Sequence, residues 1–153
     1  MKDVYSDALK IILARRRTKK EVADLLVKKG YEPDAAAEAV EHYAGQGYID
    51  EADYAMRYAH DAARIKGYGK NRIKMTLREK GVSDEHIDRA LEETNFDLES
   101  EIIKKYGGEG TITYKEMNKR CAAFIRRGFS QGEVTRKMKE LYQIKENYET
   151  EEY

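Results

Sequence analysis

Three histidines, one cysteine and a Gly-Tyr-Gly-Lys turn are the residues of this 153-residue chain that could carry chemistry. His42, His60 and His86 fall in three different expected helices. No pair of them has the i, i+4 spacing by which one helix face offers two ligands to zinc. They read as surface or half-buried helix histidines, and no metal site is expected. Cys121 stands at helical spacing from Met117 and Phe124, so it reads as a small buried thiol and not as a nucleophile. Carboxylates abound but follow helix faces and caps, so none is singled out as an acid/base pair. Gly67-Tyr68-Gly69-Lys70 has the look of a phosphate loop. However, no strand pattern precedes it, no Lys-Ser or Lys-Thr follows, and dinucleotide-type GxGxxG spacing would need glycine where Arg72 stands. It reads as a tight turn that ends one helix and caps the next. The expectation is a binding protein with no catalytic residues, no cofactor and no metal.

The elements that position these residues belong to a sparse, highly charged chain. It is 41% hydrophobic and 38% charged, against about 45–50% and about 25% for ordinary globular domains. Cores are therefore thin and helix faces broadly solvated. A lone cysteine forms no internal disulfide, and no apolar run approaches the roughly 20 residues of a membrane span. The opening Met1-Lys2-Asp3-Val4-Tyr5 lacks the basic-then-apolar form of a secretion signal. The expectation is a cytoplasmic monomer that does not enter membranes.

The apolar residues recur in register. A shift of 51 residues lays Val4, Ala8 and Ile11 over Ala55, Ala59 and Ala62, then Val22 and Leu26 over Ile73 and Leu77, and Gly30 over Gly81. A further shift of 47 lays Leu77, Gly81, Ser83, Ile87 and Leu91 over Phe124, Gly128, Ser130, Val134 and Met138. Each set keeps the i, i+3, i+4, i+7 spacing of one helix face. Thr18 with Glu21, Thr113 with Glu116 and Ser130 with Glu133 have capping-box spacing. Gly30, Gly81 and Gly128 stand where a helix ends in a left-handed residue. Pro33 stands at a helix start. Helices are expected near 5–15, 19–29, 34–44, 51–65, 70–80, 84–94, 97–106, 114–127 and 131–142. The fold class is all-α: three tandem three-helix, helix-turn-helix-like repeats (1–47, 48–95 and 96–142) forming an elongated curved array. Gly107 to Thr111 is expected to be a flexible joint. The acidic end, from Tyr142 through a tail at 143–153, is expected to fray or stay disordered.

Net charge is zero, yet charge is sorted along the chain. Residues 1–30 carry +5, 31–63 carry −7, 64–80 carry +6, 81–101 carry −7, 102–127 carry +5 and 128–153 carry −2. The middle helix of each repeat and its approach are basic. The candidate partner-binding residues are Arg15, Arg16, Arg17, Lys19 and Lys20 in the first repeat. Lys66, Lys70, Arg72, Lys74 and Arg78 follow in the second, and Lys119, Arg120, Arg126 and Arg127 in the third. Such a row could balance neighbouring acidic helices, or it could meet a partner that is itself periodic and acidic, such as a nucleoprotein filament.

The stretch Gly47-Tyr48-Ile49-Asp50-Glu51-Ala52-Asp53-Tyr54-Ala55 resembles the RecX family of bacterial RecA regulators. Arg64 through Ile73, reading RIKGYGKNRI, with Leu77, Lys80-Gly81-Val82 and Ala90-Leu91, is similar to the most specific part of that family's pattern. Arg126-Arg127-Gly128-Phe129-Ser130 is similar to its closing element, and Tyr54 stands where the family commonly has phenylalanine. The resemblance implies three tandem three-helix repeats. It also implies binding to the RecA filament on DNA, with suppression of strand exchange, ATP hydrolysis and co-protease activity. It carries no catalytic residues. A helix-turn-helix-like module that binds DNA independently of RecA is the alternative.

Overall fold

The computed structural model describes residues 3–146, which form nine helices and one pair of short strands. The first repeat holds α1 (Val4–Ala14), α2 (Lys19–Lys28) and α3 (Pro33–Gly45). The second holds α4 (Glu51–Lys66), α5 (Lys70–Glu79) and α6 (Asp84–Glu93). The third holds α7 (Leu98–Tyr106), α8 (Tyr114–Arg126) and α9 (Gln131–Leu141). Every helix expected from the periodicity is present, and boundaries differ by a residue or so. Thr18 and Thr113 form complete capping boxes with Glu21 and Glu116, each threonine accepting from the glutamate amide while its own amide donates to the carboxylate. Ser130 accepts from Glu133 N–H without the reciprocal bond. Pro33 opens α3, and Gly30, Gly81 and Gly128 have φ of 106°, 85° and 108°.

Packing divides the described chain into two compact units, residues 3–60 with 75–94 and residues 61–74 with 95–146. Two of the divisions, 60/61 and 74/75, fall inside α4 and α5, and the third, 94/95, follows α6. Each unit contains one contact between the end of a middle helix and the start of the preceding middle helix. The core of the first unit includes Ala8, Val22, Leu26, Ala36, Ala39, Val40 and Ile49, with Tyr5 and Tyr43 packed against it. The core of the second includes Leu98, Ile102, Met117, Cys121, Phe124, Phe129, Val134 and Met138. These are the residues that the 3.6-residue periodicity assigns to inner faces. Burial also pushes the Cys121 thiol above its ordinary pKa.

The third repeat differs from expectation at its two ends. Thr111–Thr113 forms β1, and Gln143–Lys145 forms β2; they pair in parallel, Ile112 opposite Ile144. The exposed loop 107–110 therefore leads straight into a strand, where Gly110 C=O accepts from Gln143 N–H at 2.9 Å. Tyr142, expected to fray, is 4% exposed and donates its hydroxyl to Gly107 C=O. Tyr142 to Lys145 is thus ordered by one buried aromatic ring and a backbone ladder. The acidic residues of the tail beyond 146 lie outside the described residues.

Candidate functional site

The positioning of the basic residues begins at the two helix junctions. In the first unit Thr18, fully buried at the N-terminus of α2, donates its hydroxyl to Lys80 C=O at 2.6 Å at the end of α5. A Cβ on Gly81 would lie 2.8 Å from Lys20 Cβ. The second unit repeats this with backbone alone. Gly69 N–H and Asn71 N–H, at the start of α5, donate to Arg127 C=O (2.8 Å) and Gly128 C=O (2.9 Å), just past the end of α8. In both places a carbonyl at the end of one helix is satisfied at the start of another, by a side-chain hydroxyl in the first and by backbone amides in the second, and opposite macrodipole ends face each other. The Gly67–Lys70 turn and the Arg126–Phe129 stretch are thereby one contact. A Cβ on Gly69 would fall 2.6 Å from Gly128 C, and one on Gly128 would fall 2.6 Å from Arg72 N. Glycine at 69 and 128 is a close-approach requirement, and the phosphate-loop look of residues 67–70 has a structural cause.

These junctions set the basic side chains in distinct surroundings. In the first unit Arg16 pairs with Asp53 (3.3 Å), Lys19 with Glu41 (3.4 Å), Lys20 with Asp24 (2.9 Å) and Arg78 with Asp84 (3.0 Å). Arg17 donates to Ile11 C=O at 2.6 Å, satisfying a carbonyl in the last turn of α1. Arg15 is exposed and makes no ion pair. In the second unit Arg127 pairs with Glu101 (3.2 Å), and its guanidinium lies 4.6 Å from the Phe124 ring centroid. Arg120 lies between Tyr106 (4.3 Å) and Tyr142 (5.0 Å). Arg72 stacks on Tyr68 at 4.0 Å and reaches Arg126 C=O at 3.4 Å. Lys66 lies over the same ring at 5.6 Å, and Lys70 lies over Phe96 at 5.8 Å. Lys74 is half-buried, while Lys119 and Arg126 are exposed. The sequence treats these fourteen residues alike. The structure unites Lys66 and Arg72 over Tyr68, with Arg72 also reaching the Arg126 backbone carbonyl, and makes Arg17, Arg120 and Arg127 parts of the packing.

Two groups escaped the sequence reading. Tyr68 and Phe96 serve as rests for cations, and only their positions near basic residues could have hinted at it. Glu21, Lys80 and Tyr54 form a partly buried cluster at the first junction, with Lys80 Nζ 3.2 Å from Glu21 Oε2. Burial opposes ionisation of Glu21, but the Thr18 amide and the Lys80 ammonium outweigh it and hold the carboxyl below its ordinary range. Burial likewise opposes the charge on Lys80, yet Glu21 and Tyr54 raise its pKa. Burial first, then the Glu21 charge, raises that of the Tyr54 hydroxyl. Tyr54 therefore adds a polar partner to this ion pair.

Among the described residues no three His, Cys, Asp or Glu side chains converge as metal ligands. No helix among them is long and apolar enough to cross a membrane. The arrangement offers cationic and hydrogen-bonding surface for a partner.

Two family models match the chain: "RecX, first three-helix domain" over residues 5–42 and "RecX, second three-helix domain" over residues 50–91. "Regulatory protein RecX" of Halorhodospira halophila is 30% identical over 135 residues, covering 86% of this chain and 83% of that protein. "Regulatory protein RecX" of Bacillus pumilus is 27% identical over 158 residues, and the match spans 60% of its length. The crystal structure of RecX from Lactobacillus salivarius shares the fold with a TM-score of 0.67 at 24% identity, covering 90% of this chain and 94% of that one. A second crystal structure, of "regulatory protein RecX", gives 0.73 at 22% identity, covering 90% and 70%. By both three-helix models and by relatives matched over most of their length, the chain belongs to the RecX family of regulatory proteins.

Proposed function

We propose that this protein binds the RecA filament on DNA and inhibits its recombinase, ATPase and co-protease activities, so modulating recombination, DNA repair and the SOS response in the cytoplasm. It acts by binding and not by catalysis. The observation that supports this reading is the match of both RecX three-helix domains, in order along the chain. The test is ATP hydrolysis by RecA on single-stranded DNA as this protein is titrated from substoichiometric to equimolar amounts. Turnover is expected to fall across that range, and an unchanged rate refutes the reading.

A second reading, a DNA-binding module that acts without RecA, is favoured by one observation. The second compact unit carries 16 basic and 9 acidic residues among those described, a net of +7. Binding to naked duplex as tight as to the RecA filament, with a log K against log salt slope of about −0.9 per phosphate neutralised, supports that alternative and displaces the first.

A further inference from the structure

We propose that contact with a phosphodiester backbone is confined to the second compact unit, along a track of Lys66, Arg72, Arg126 and Lys119, and that the basic run 15–20 of the first unit serves the fold. The inference rests on the preceding reading only in taking a DNA-bearing partner.

The two units differ in sign. Against the second unit's net of +7, the described residues of the first unit hold 12 basic and 17 acidic side chains, a net of −5. A polyanion approaching the first unit therefore meets a repulsive field. It also meets cations already engaged with Asp53, Glu41, Asp24 and Asp84. On the second unit Lys66, Arg72, Lys119 and Arg126 are exposed, and none forms an ion pair with another of the described residues.

These four residues lie on segments of the second unit that meet at the Gly69–Gly128 contact or continue along α8. Tyr68 holds Arg72 flat at 4.0 Å and has Lys66 at 5.6 Å. Arg72 meets Arg126 C=O at 3.4 Å across the Gly69–Gly128 contact. Lys119 precedes Arg126 by seven residues in α8, two turns along the same face and about 10 Å away, the axial rise of about three nucleotides of one duplex strand. Cations stand over the rings of both Tyr68 and Phe96. Bases are therefore not offered these surfaces for stacking. The track suits the backbone and is indifferent to sequence.

The test compares two triple variants of the full chain by anisotropy of a labelled mixed-sequence single-stranded oligonucleotide over a salt series. The first is Lys66→Gln, Lys119→Gln and Arg126→Gln; the second is Arg15→Gln, Arg16→Gln and Lys19→Gln. The second-unit variant is expected to lose about tenfold or more in affinity at low salt, with its salt slope shallower by about 2 for three lost contacts. The first-unit variant stays within about twofold of the parent, because that unit's net charge of −5 keeps the oligonucleotide away from it. Equal losses, a larger loss from the first-unit variant, or no oligonucleotide binding by the parent at low salt overturns the inference. Competition by poly-glutamate as strong as by oligonucleotide also overturns it, because the track then suits an acidic protein segment. Far-ultraviolet circular dichroism confirms that both variants fold. RecA is absent from this assay, so failure of RecA inhibition sinks the proposed function alone.

Discussion

Replacing Gly128 by alanine should cost far more than a surface glycine substitution normally does, and the structure separates the reasons. Its φ of 108° lies in the left-handed region, where a Cβ costs about 1–2 kcal/mol. The added methyl would also sit 2.6 Å from Arg72 N and 2.9 Å from Gly69 C=O. Both are backbone atoms and cannot swing aside, so the overlap adds about 1–3 kcal/mol. Together the loss is about 2–5 kcal/mol. Two internal controls isolate the terms. Gly47, at φ 85° with nothing within 4 Å, carries the conformational cost alone. Gly132, in the first turn of α9 with nothing within 4 Å, should gain up to about 1 kcal/mol from alanine through helix propensity. Urea unfolding should rank the variants Gly132→Ala, parent, Gly47→Ala and Gly128→Ala in falling stability. Hydrogen exchange should report faster exchange at the Gly69 and Asn71 amides only in the last. If Gly128→Ala costs no more than Gly47→Ala, the close-approach account of the junction is refuted.

Thr18→Val removes the hydroxyl that donates to Lys80 C=O and that caps α2, so a loss of about 1–3 kcal/mol is expected, with Thr18→Ser largely sparing it in chemical denaturation. The Tyr31 hydroxyl, held by Asp7, is pushed up to about 12 from an ordinary 10.0. The unfolded chain therefore ionises it first, and its contribution is complete below pH 10 and lost as pH rises towards 12. Tyrosinate absorbance should resolve one late-titrating ring that Tyr31→Phe abolishes, and an unchanged titration counts against the contact. Glu21 has its pKa lowered, so its contribution is present above the usual carboxylate range and lost as pH falls through the folded value. Glu21→Gln should flatten the acid limb of stability, and an unaltered limb places the acid sensitivity elsewhere. Cys121 is 5% exposed with its thiol pKa raised, so a thiol reagent should modify it only as the second unit opens; immediate stoichiometric reaction would contradict its burial.

Periodicity alone made the nine helices legible, because Ala8, Leu26, Ile73, Leu77, Ile87 and Val134 are fully buried and lie on one face each. The caps were legible for the same reason, since Thr-x-x-Glu and a following glycine satisfy backbone groups within a few residues. The strands were not. Thr111–Thr113 and Gln143–Lys145 are three residues each, too short for a period, and each depends on a partner beyond a whole helical hairpin. The candidate site was legible as a list of cations but not as an arrangement. Whether Arg126 is available and Arg127 is engaged depends on Glu101, which sits in α7, and on Phe124, one turn back in α8. Counting basic residues along a chain says nothing of the carboxylates that folding sets beside them, such as Asp53 beside Arg16 or Glu101 beside Arg127.

The parallel β1–β2 pair has a consequence for the order of folding. Parallel strands cannot be joined by a tight turn, so this pair can close only after the connecting α8–α9 hairpin has formed. It forms late and opens early, and it is a clasp on a finished repeat. Thr113 belongs to β1 and also caps α8. A pull or a bound partner acting on the chain beyond Lys145 is therefore transmitted through three residue pairs to the first turn of α8. From there the strain reaches the helix that carries Lys119 and Arg126.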